Sequence, residues 1–252
     1  MTPFRKGRYL VRLAASADDV RDAQRLRWLC FVARNDGADD GGQQVEADAL
    51  DADCSHMLII DTVTGQLVCY FRFLPLAGGR DIARSYSAQF YDLSALESFD
   101  APMLEVGRFC VHPAVRDPDI IRLAWAALTR IVDDLGVQML FGCSSFVGTE
   151  PADHADAFAM LQARHLAPRR WWPRIKAPHV FRLARALLPG QPDPRRAMAA
   201  MPPLLRSYLA LGGWVSDHAV VDSALRTMHV FTGVEIGSIP PARRKLLRMT
   251  AH

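Results

Sequence analysis

The sequence predicts a mixed α/β fold in which a sheet is covered by helices. β-rich runs and amphipathic stretches succeed one another in the order β-α-β-β-β-α-β-α, which favours that layering. Apolar runs at 103–112 and 137–146 flank an amphipathic helix, and this spacing predicts a right-handed βαβ unit. Half of the 252 residues are hydrophobic, enough for a substantial core.

The elements follow in order. "GRYLVRLA" alternates like an edge strand, and Ser16 with Asp19 resembles a capping box opening a helix through "DDVRDAQRLRWLCFVAR". Residues 35–47, "NDGADDGGQQVEA", are glycine-rich and acidic and predict a mobile loop. "HMLIID" and "QLVCYFRFLPL" read as strands around a "TVTG" hairpin, and 78–102 as irregular chain. In "RDPDIIRLAWAALTRIVDDLG", Asp117 is placed to cap the helix, Pro118 suits its first position and Gly136 stops it. Ile120, Leu123, Ala124, Ala127, Leu128 and Ile131 form its apolar stripe. "VQMLFGCSSF" predicts a buried strand, and roughly 152–165 a further helix. "PPLLRSYLALGG" reads as a short helix, "GGWVSDHAVVD" as a loop, "MHVFTGVEI" as a last strand and "PPARRKLLRM" as a basic amphipathic tail.

Composition narrows the function. A net charge of +3 suits an acidic partner or an anionic membrane surface and falls far short of a nucleic-acid signature. The five cysteines (Cys30, Cys54, Cys69, Cys110, Cys143) stand singly, without a CxxC pair, and predict reduced thiols in a cytosolic protein. Cys54 with His56, or Cys110 with His112, lacks a second ligand pair at zinc-site spacing, so no metal is expected. The N-terminus has no apolar signal core, and no run reaches transmembrane length.

One strand carries a contradiction. "MLEVGRFCVHP" sets Glu105 and Arg108 in an apolar run, although charges are rarely buried unpaired. Three residues apart, they face opposite ways on a regular strand. A bulge near Gly107 would bring them to one side.

Seven positions in order carry a resemblance: Arg27 and Phe31 in "LRWLCF", Asp48 and Asp51 in "DALD", Arg72 in "YFRF", and Glu105 with Arg108 in "EVGRF". The pattern resembles the N-acetyltransferase-like (GNAT) acyltransferase superfamily, in its autoinducer-synthase-like branch, where such a set surrounds the active site. Autoinducer synthases usually carry Trp where this chain has Gly37, which weakens a homoserine-lactone reading. "GRFCVHP", "LFGCSSFVGTEP" with "HADAF", and "PPLLRSYLALGGWVSDHAVVD" resemble the L-ornithine Nα-acyltransferases over nearly the whole chain. The resemblance implies a GNAT-like α/β (α+β) fold: a central mixed, mostly antiparallel sheet with a splayed parallel pair, flanked by helices. It implies a single domain over 1–252, whose extended C-terminal part from about 168 completes the sheet and contacts the membrane.

The implied reaction is N-acyl transfer from a 3-hydroxyacyl thioester to the α-amine of an amino acid, ornithine first and glutamine as a variation. An acyl-homoserine lactone synthase and a non-catalytic carrier-protein module are the other readings. Glu105 is the candidate proton acceptor, since partial burial moves a carboxylate toward neutrality. Simple pairing with Arg108 is the other reading, and buried pairs alone often add little stability. Arg27, Phe31, Asp48 and Asp51 are expected around the substrate mouth, with N-terminal salt bridging equally open. Arg72 is a candidate fork for an α-carboxylate, and Asp217 or Asp222 for the distal cation, a capped turn being the alternative. Ser144 and Ser145 line the donor gap or sit as ordinary core-edge serines.

No further cofactor is expected beyond the 4'-phosphopantetheine that carries the acyl group on acyl-carrier protein. "VRDPDI" stands where coenzyme A users carry a glycine-rich loop, and Asp117 and Asp119 at a helix N-terminus repel a pyrophosphate. Acidic carrier protein calls for a basic docking face. Arg169, Arg170, Arg174 and Lys176 form the preferred cluster, ahead of Arg116, Arg122 and Arg130. "RRWWPRIK" and the tail residues Arg243, Arg244, Lys245 and Arg248 suit interfacial membrane contact, or else both Trp residues pack in the core.

Overall fold

The computed structural model describes residues 1–33, 44–186 and 193–251. Gly37 and most of the acidic 35–47 loop lie outside the described residues. The chain forms two compact units, one of Met1–Pro75, Val106–Val137 and Pro241–His252, the other of Leu76–Glu105 and Gln138–Pro240.

In the first unit, β1 (Phe4–Lys6) and β2 (Tyr9–Leu13) make a hairpin that continues antiparallel into β3 (Ser55–Asp61) and β4 (Leu67–Leu76). Helix α1 (Ala17–Trp28) begins as expected: the Ser16 hydroxyl accepts the Asp19 N–H at 3.2 Å. Its continuation to Ala33 winds as a π-helical turn, Leu29–Ala33. Both the turn and α1 pack on a core of Ala23, Leu26, Leu58, Tyr70 and Cys110, which Phe31 also contacts.

Helix α2 (Asp119–Leu135) starts one residue later than read, with Pro118 at its N-cap, and its other local signals hold. Asp117 accepts the Asp119 N–H at 2.9 Å, Gly136 closes the helix in the left-handed region at φ 62°, and the expected apolar stripe is buried. The basic tail is a helix, α6 (Pro241–Ala251; numbered after the helices of the second unit), and Arg248 reaches Asp133 of α2 at 3.0 Å.

In the second unit, strand β6 (Met103–Val111) enters parallel to β7 (Met139–Val147). Their register covers Met103, Leu104 and Glu105 against Met139, Leu140 and Phe141 and ends there. Strands β11 (Thr227–Glu235), β10 (Trp214–Asp222) and β9 (Val180–Arg182) extend this sheet antiparallel beyond β7. The C-terminal part thus supplies three strands, and the mixed, mostly antiparallel arrangement is the expected one. Helices α3 (Ala155–Arg164), α4 (Pro194–Ala200) and α5 (Pro203–Ala210) complete the unit, with Phe158, Leu161, Ala197 and Leu205 in a shared core with Val215 and Val230.

Residues 214–222 are a strand and not a loop. The polar run Ser216, Asp217, His218 masks the pattern because the strand is irregular there, its register to β11 shifting between Val215 and Ala219. The buried Ser216 hydroxyl fills the irregularity, donating to the His218 carbonyl at 2.7 Å and accepting the Phe231 N–H at 3.1 Å.

The irregular stretch 78–102 is ordered by short 3-10 turns and by β5 (Tyr91–Asp92), which pairs with β8 (Arg174–Ile175). Its anchor is Gly79, whose N–H donates to the Phe99 carbonyl at 2.8 Å. A Cβ there would stand 1.8 Å from the Leu96 carbonyl oxygen. Gly79→Ala is therefore expected to cost about 3 kcal/mol in urea unfolding. Ala at Gly65, where nothing lies within 4 Å, should cost less, through backbone conformation alone.

Candidate active site

Three arginines and three carboxylates converge in the first unit. Arg27, fully buried at the end of α1, donates to Glu46 and to Asp51, both at 2.5 Å. Arg72 from β4 grips Asp48 with both terminal nitrogens, at 2.5 and 2.8 Å, and reaches Asp51 at 2.5 Å. Arg108 from β6 donates to Asp48 at 2.9 Å and to Glu46 at 3.2 Å. Asp48 and Asp51 are held in place locally, because they cap the short turn Ala49–Ala52 reciprocally. Gln24 donates to Asp51 at 3.0 Å, and His56 sits between Tyr70 and the Asp51 carbonyl.

The electrostatics follow from burial and pairing together. Burial pushes Asp51 up, but the Arg27 charge, with hydrogen bonds from Arg27, Gln24 and Arg72, outweighs it and brings the carboxyl down to about 2. Asp48 is also lowered: burial opposes, and Arg72 then Arg108 overcome it. Burial disfavours the charge on Arg27, yet the bond and charge of Glu46 leave it raised. Asp48 and Asp51, lowered, and Arg27 and Arg72, raised, are therefore all charged at neutral pH.

Arg108 takes φ 53°, in the left-handed region that favours glycine, whereas Gly107 has no positive φ. The left-handed φ thus falls on Arg108, beside the Gly107 near which a bulge is expected. Glu46 and Asp48 hold that side chain, which offsets a conformation costing about 1 kcal/mol.

Glu105 lies in the second unit, buried, at the last parallel pair of β6 with β7. Its carboxylate accepts the Tyr86 N–H on one oxygen at 2.8 Å. The other oxygen takes the Ser87 N–H at 2.8 Å and the Ser87 hydroxyl at 2.6 Å. Glu105 and Arg108 thus each have partners of their own, and N–H and O–H donors aimed at a carboxylate favour its ionised form.

The remaining expected residues are placed as follows. The Arg72 fork that would take an α-carboxylate is filled by Asp48. Ser144 is buried on β7 and accepts the Thr232 hydroxyl at 3.0 Å, while Ser145 is exposed. Asp217 is engaged by His218 at 2.7 Å and Arg182 at 3.7 Å, and Asp222 accepts the Leu225 N–H as a capped turn. Arg169, Arg170, Arg174 and Lys176 are exposed; Arg170 pairs with Glu235 at 3.0 Å, and Lys176 donates to the Ala88 carbonyl at 2.6 Å. Trp171 and Trp172 are half-buried, Trp171 packing edge-on against Phe99. None of the five cysteines is in a disulfide, and among the described residues no three His, Cys, Asp or Glu side chains are grouped to hold a metal.

Sequence reasoning missed Glu46 and Ser87. Glu46 lies in an acidic run that reads as mobile loop, and Ser87 in chain that reads as irregular. No periodicity marks either.

Removing one member of the charge cluster strands its partners in a buried site. Arg27→Met is expected to cost about 3–5 kcal/mol in urea unfolding. Acid should act through Asp51: its folded value of about 2 lies below the ordinary 3.8. The stability it contributes is full above 3.8 and is lost as pH falls through about 2. Asp51→Asn should flatten that part of the pH dependence.

Comparison with known proteins places this arrangement. Residues 26–126 match the acetyltransferase (GNAT) domain family. An L-ornithine Nα-acyltransferase from Rhodobacter capsulatus is 35% identical over 88% of this chain and 88% of its own length. One from Rhizobium meliloti is 33% identical over 90% of this chain and 80% of its own. The fold is shared with an N-acyl amino acid synthase from uncultured soil microbes, at TM-score 0.52 and 9% identity, covering 99% of this chain and 98% of that one. With its buried arginine–carboxylate cluster and the carboxylate of Glu105 in place, the chain belongs to the family of L-ornithine Nα-acyltransferases.

Proposed function

We propose that this enzyme acylates the α-amine of L-ornithine with a 3-hydroxyacyl group from acyl-carrier protein, giving lyso-ornithine lipid. The relatives' names support ornithine as acceptor. The single observation that carries the chemistry is Glu105, buried and held by Tyr86 and Ser87.

In this reading the amine nitrogen attacks the thioester carbonyl carbon, and Glu105 takes the proton the nitrogen sheds, directly or through water. The carbon–nitrogen bond forms, the carbon–sulfur bond breaks, and the pantetheine thiolate leaves and takes up a proton. Asp48 and Asp51 are unsuited to that role, because their arginine partners keep them ionised and weakly basic.

Carrier protein as donor is supported by the start of α2. Asp117 is lowered by hydrogen bonds from Tyr9 and Asp119 and is therefore charged, at the helix end where a pyrophosphate would need to bind. Exposed Arg169, Arg174 and their neighbours supply a basic face for the acidic carrier. The basic face of α6 and the half-buried Trp171 and Trp172 supply peripheral contact with anionic lipid. Among the described residues no helix is long and apolar enough to cross a membrane.

Thiol release from 3-hydroxyacyl carrier protein, across a panel of amino acids, tests the proposal. Ornithine should be preferred, and the matching coenzyme A thioester should react more slowly. Glu105→Gln should lower turnover about 100-fold or more while the protein still folds. Retained activity would remove Glu105 as the base.

A further inference from the structure

We infer that Ser87 is a positioning residue for the reaction: its hydroxyl orients Glu105 and holds it in the ionised, proton-accepting form. The inference rests on Glu105 as base.

Ser87 is fully buried in the short 3-10 turn Ser87–Gln89, and its N–H and O–H both meet the same Glu105 oxygen. An ionised carboxylate only accepts hydrogen bonds, so the single Ser87 hydroxyl proton is committed to Glu105. The Cys143 sulfur, 3.5 Å from that hydroxyl oxygen, is then left to donate its own proton. The order thiol to hydroxyl to carboxylate gives every proton one destination. Two consequences follow. The hydroxyl fixes the carboxylate plane at a site where small misplacement slows proton transfer. It also favours the charged state against burial, which otherwise makes a carboxyl retain its proton.

The backbone makes this testable. Ser87→Ala removes only the hydroxyl, while the N–H groups of Tyr86 and Ala at 87 still anchor the turn to Glu105. With one donor gone, Glu105 becomes easier to protonate, so the acid limb of the kcat profile should move up by about one unit. On the plateau above that limb, kcat should remain about tenfold reduced, with KM for ornithine nearly unchanged.

Wild type, Ser87→Ala and Glu105→Gln are compared with the same donor and ornithine across pH, each checked for folding by thermal unfolding. An upward shift of the limb in Ser87→Ala, with Glu105→Gln inactive, supports the inference. A uniform drop in kcat at every pH, or no change, overturns it and leaves Glu105 as base. An active Glu105→Gln overturns the base reading itself, and this inference with it.

Discussion

The first unit depends on one constraint: Arg27, Arg72 and Asp51, the buried members of its charge cluster, have little water to fall back on. Desolvating an ion costs several kcal/mol, and attraction offsets this only when geometry satisfies most of its donors and acceptors. Arg27, Arg72 and Arg108 meet the condition jointly with Glu46, Asp48 and Asp51, each carboxylate serving two arginines. The members come from α1, from the segment before β3, from β4 and from β6. Each arginine therefore ties a separate element to the same carboxylate-bearing segment. Fit is incomplete at one point: Arg27 Nη2 stands 3.9 Å from Asp48, too far for a hydrogen bond.

That cluster shows that a set of converging charges need not be a set of proton acceptors. A carboxylate clamped between two cations is stabilised as an anion so strongly that it makes a poor proton acceptor. Asp51, at about 2, is such a group. A carboxylate held by amide and hydroxyl donors is also stabilised as an anion, but by dipoles, so gaining a proton forfeits less. Glu105 is of the second kind in its contacts with Tyr86 and Ser87. The nature of the partner thus sets how readily each carboxylate takes up a proton more sharply than burial does.

Legibility in the sequence tracked the range of the interaction. α2 was readable because its cap, stop and apolar stripe all lie within its own residues. The charged strand was readable because Glu105 and Arg108 break an apolar run. What the strand does not show is that the positive φ sits on Arg108: glycine is its usual host, yet here a long-range clamp on Arg108 supplies the compensation that glycine would have made unnecessary. Residues 214–222 concealed a strand because its irregularity is filled by a side chain, Ser216. Glu46 and Ser87 carried no local signal, since each gains its role from a partner far along the chain.

Strand β6 carries residues of both units. Glu105, with its amide-held carboxylate, belongs to the second unit, and three residues on Arg108 belongs to the first. Between them the strand gives up regular alternation, and the left-handed turn at Arg108 is where it does so. A glycine at 108 would accept that φ without strain but would leave Glu46 and Asp48 short of a cation in a half-buried site. An arginine in an unstrained strand would keep the charge but point it elsewhere. The strained arginine is the residue type that satisfies both demands. Strain of about 1 kcal/mol is small beside the several kcal/mol of an uncompensated buried carboxylate, so electrostatics decides the backbone at this position.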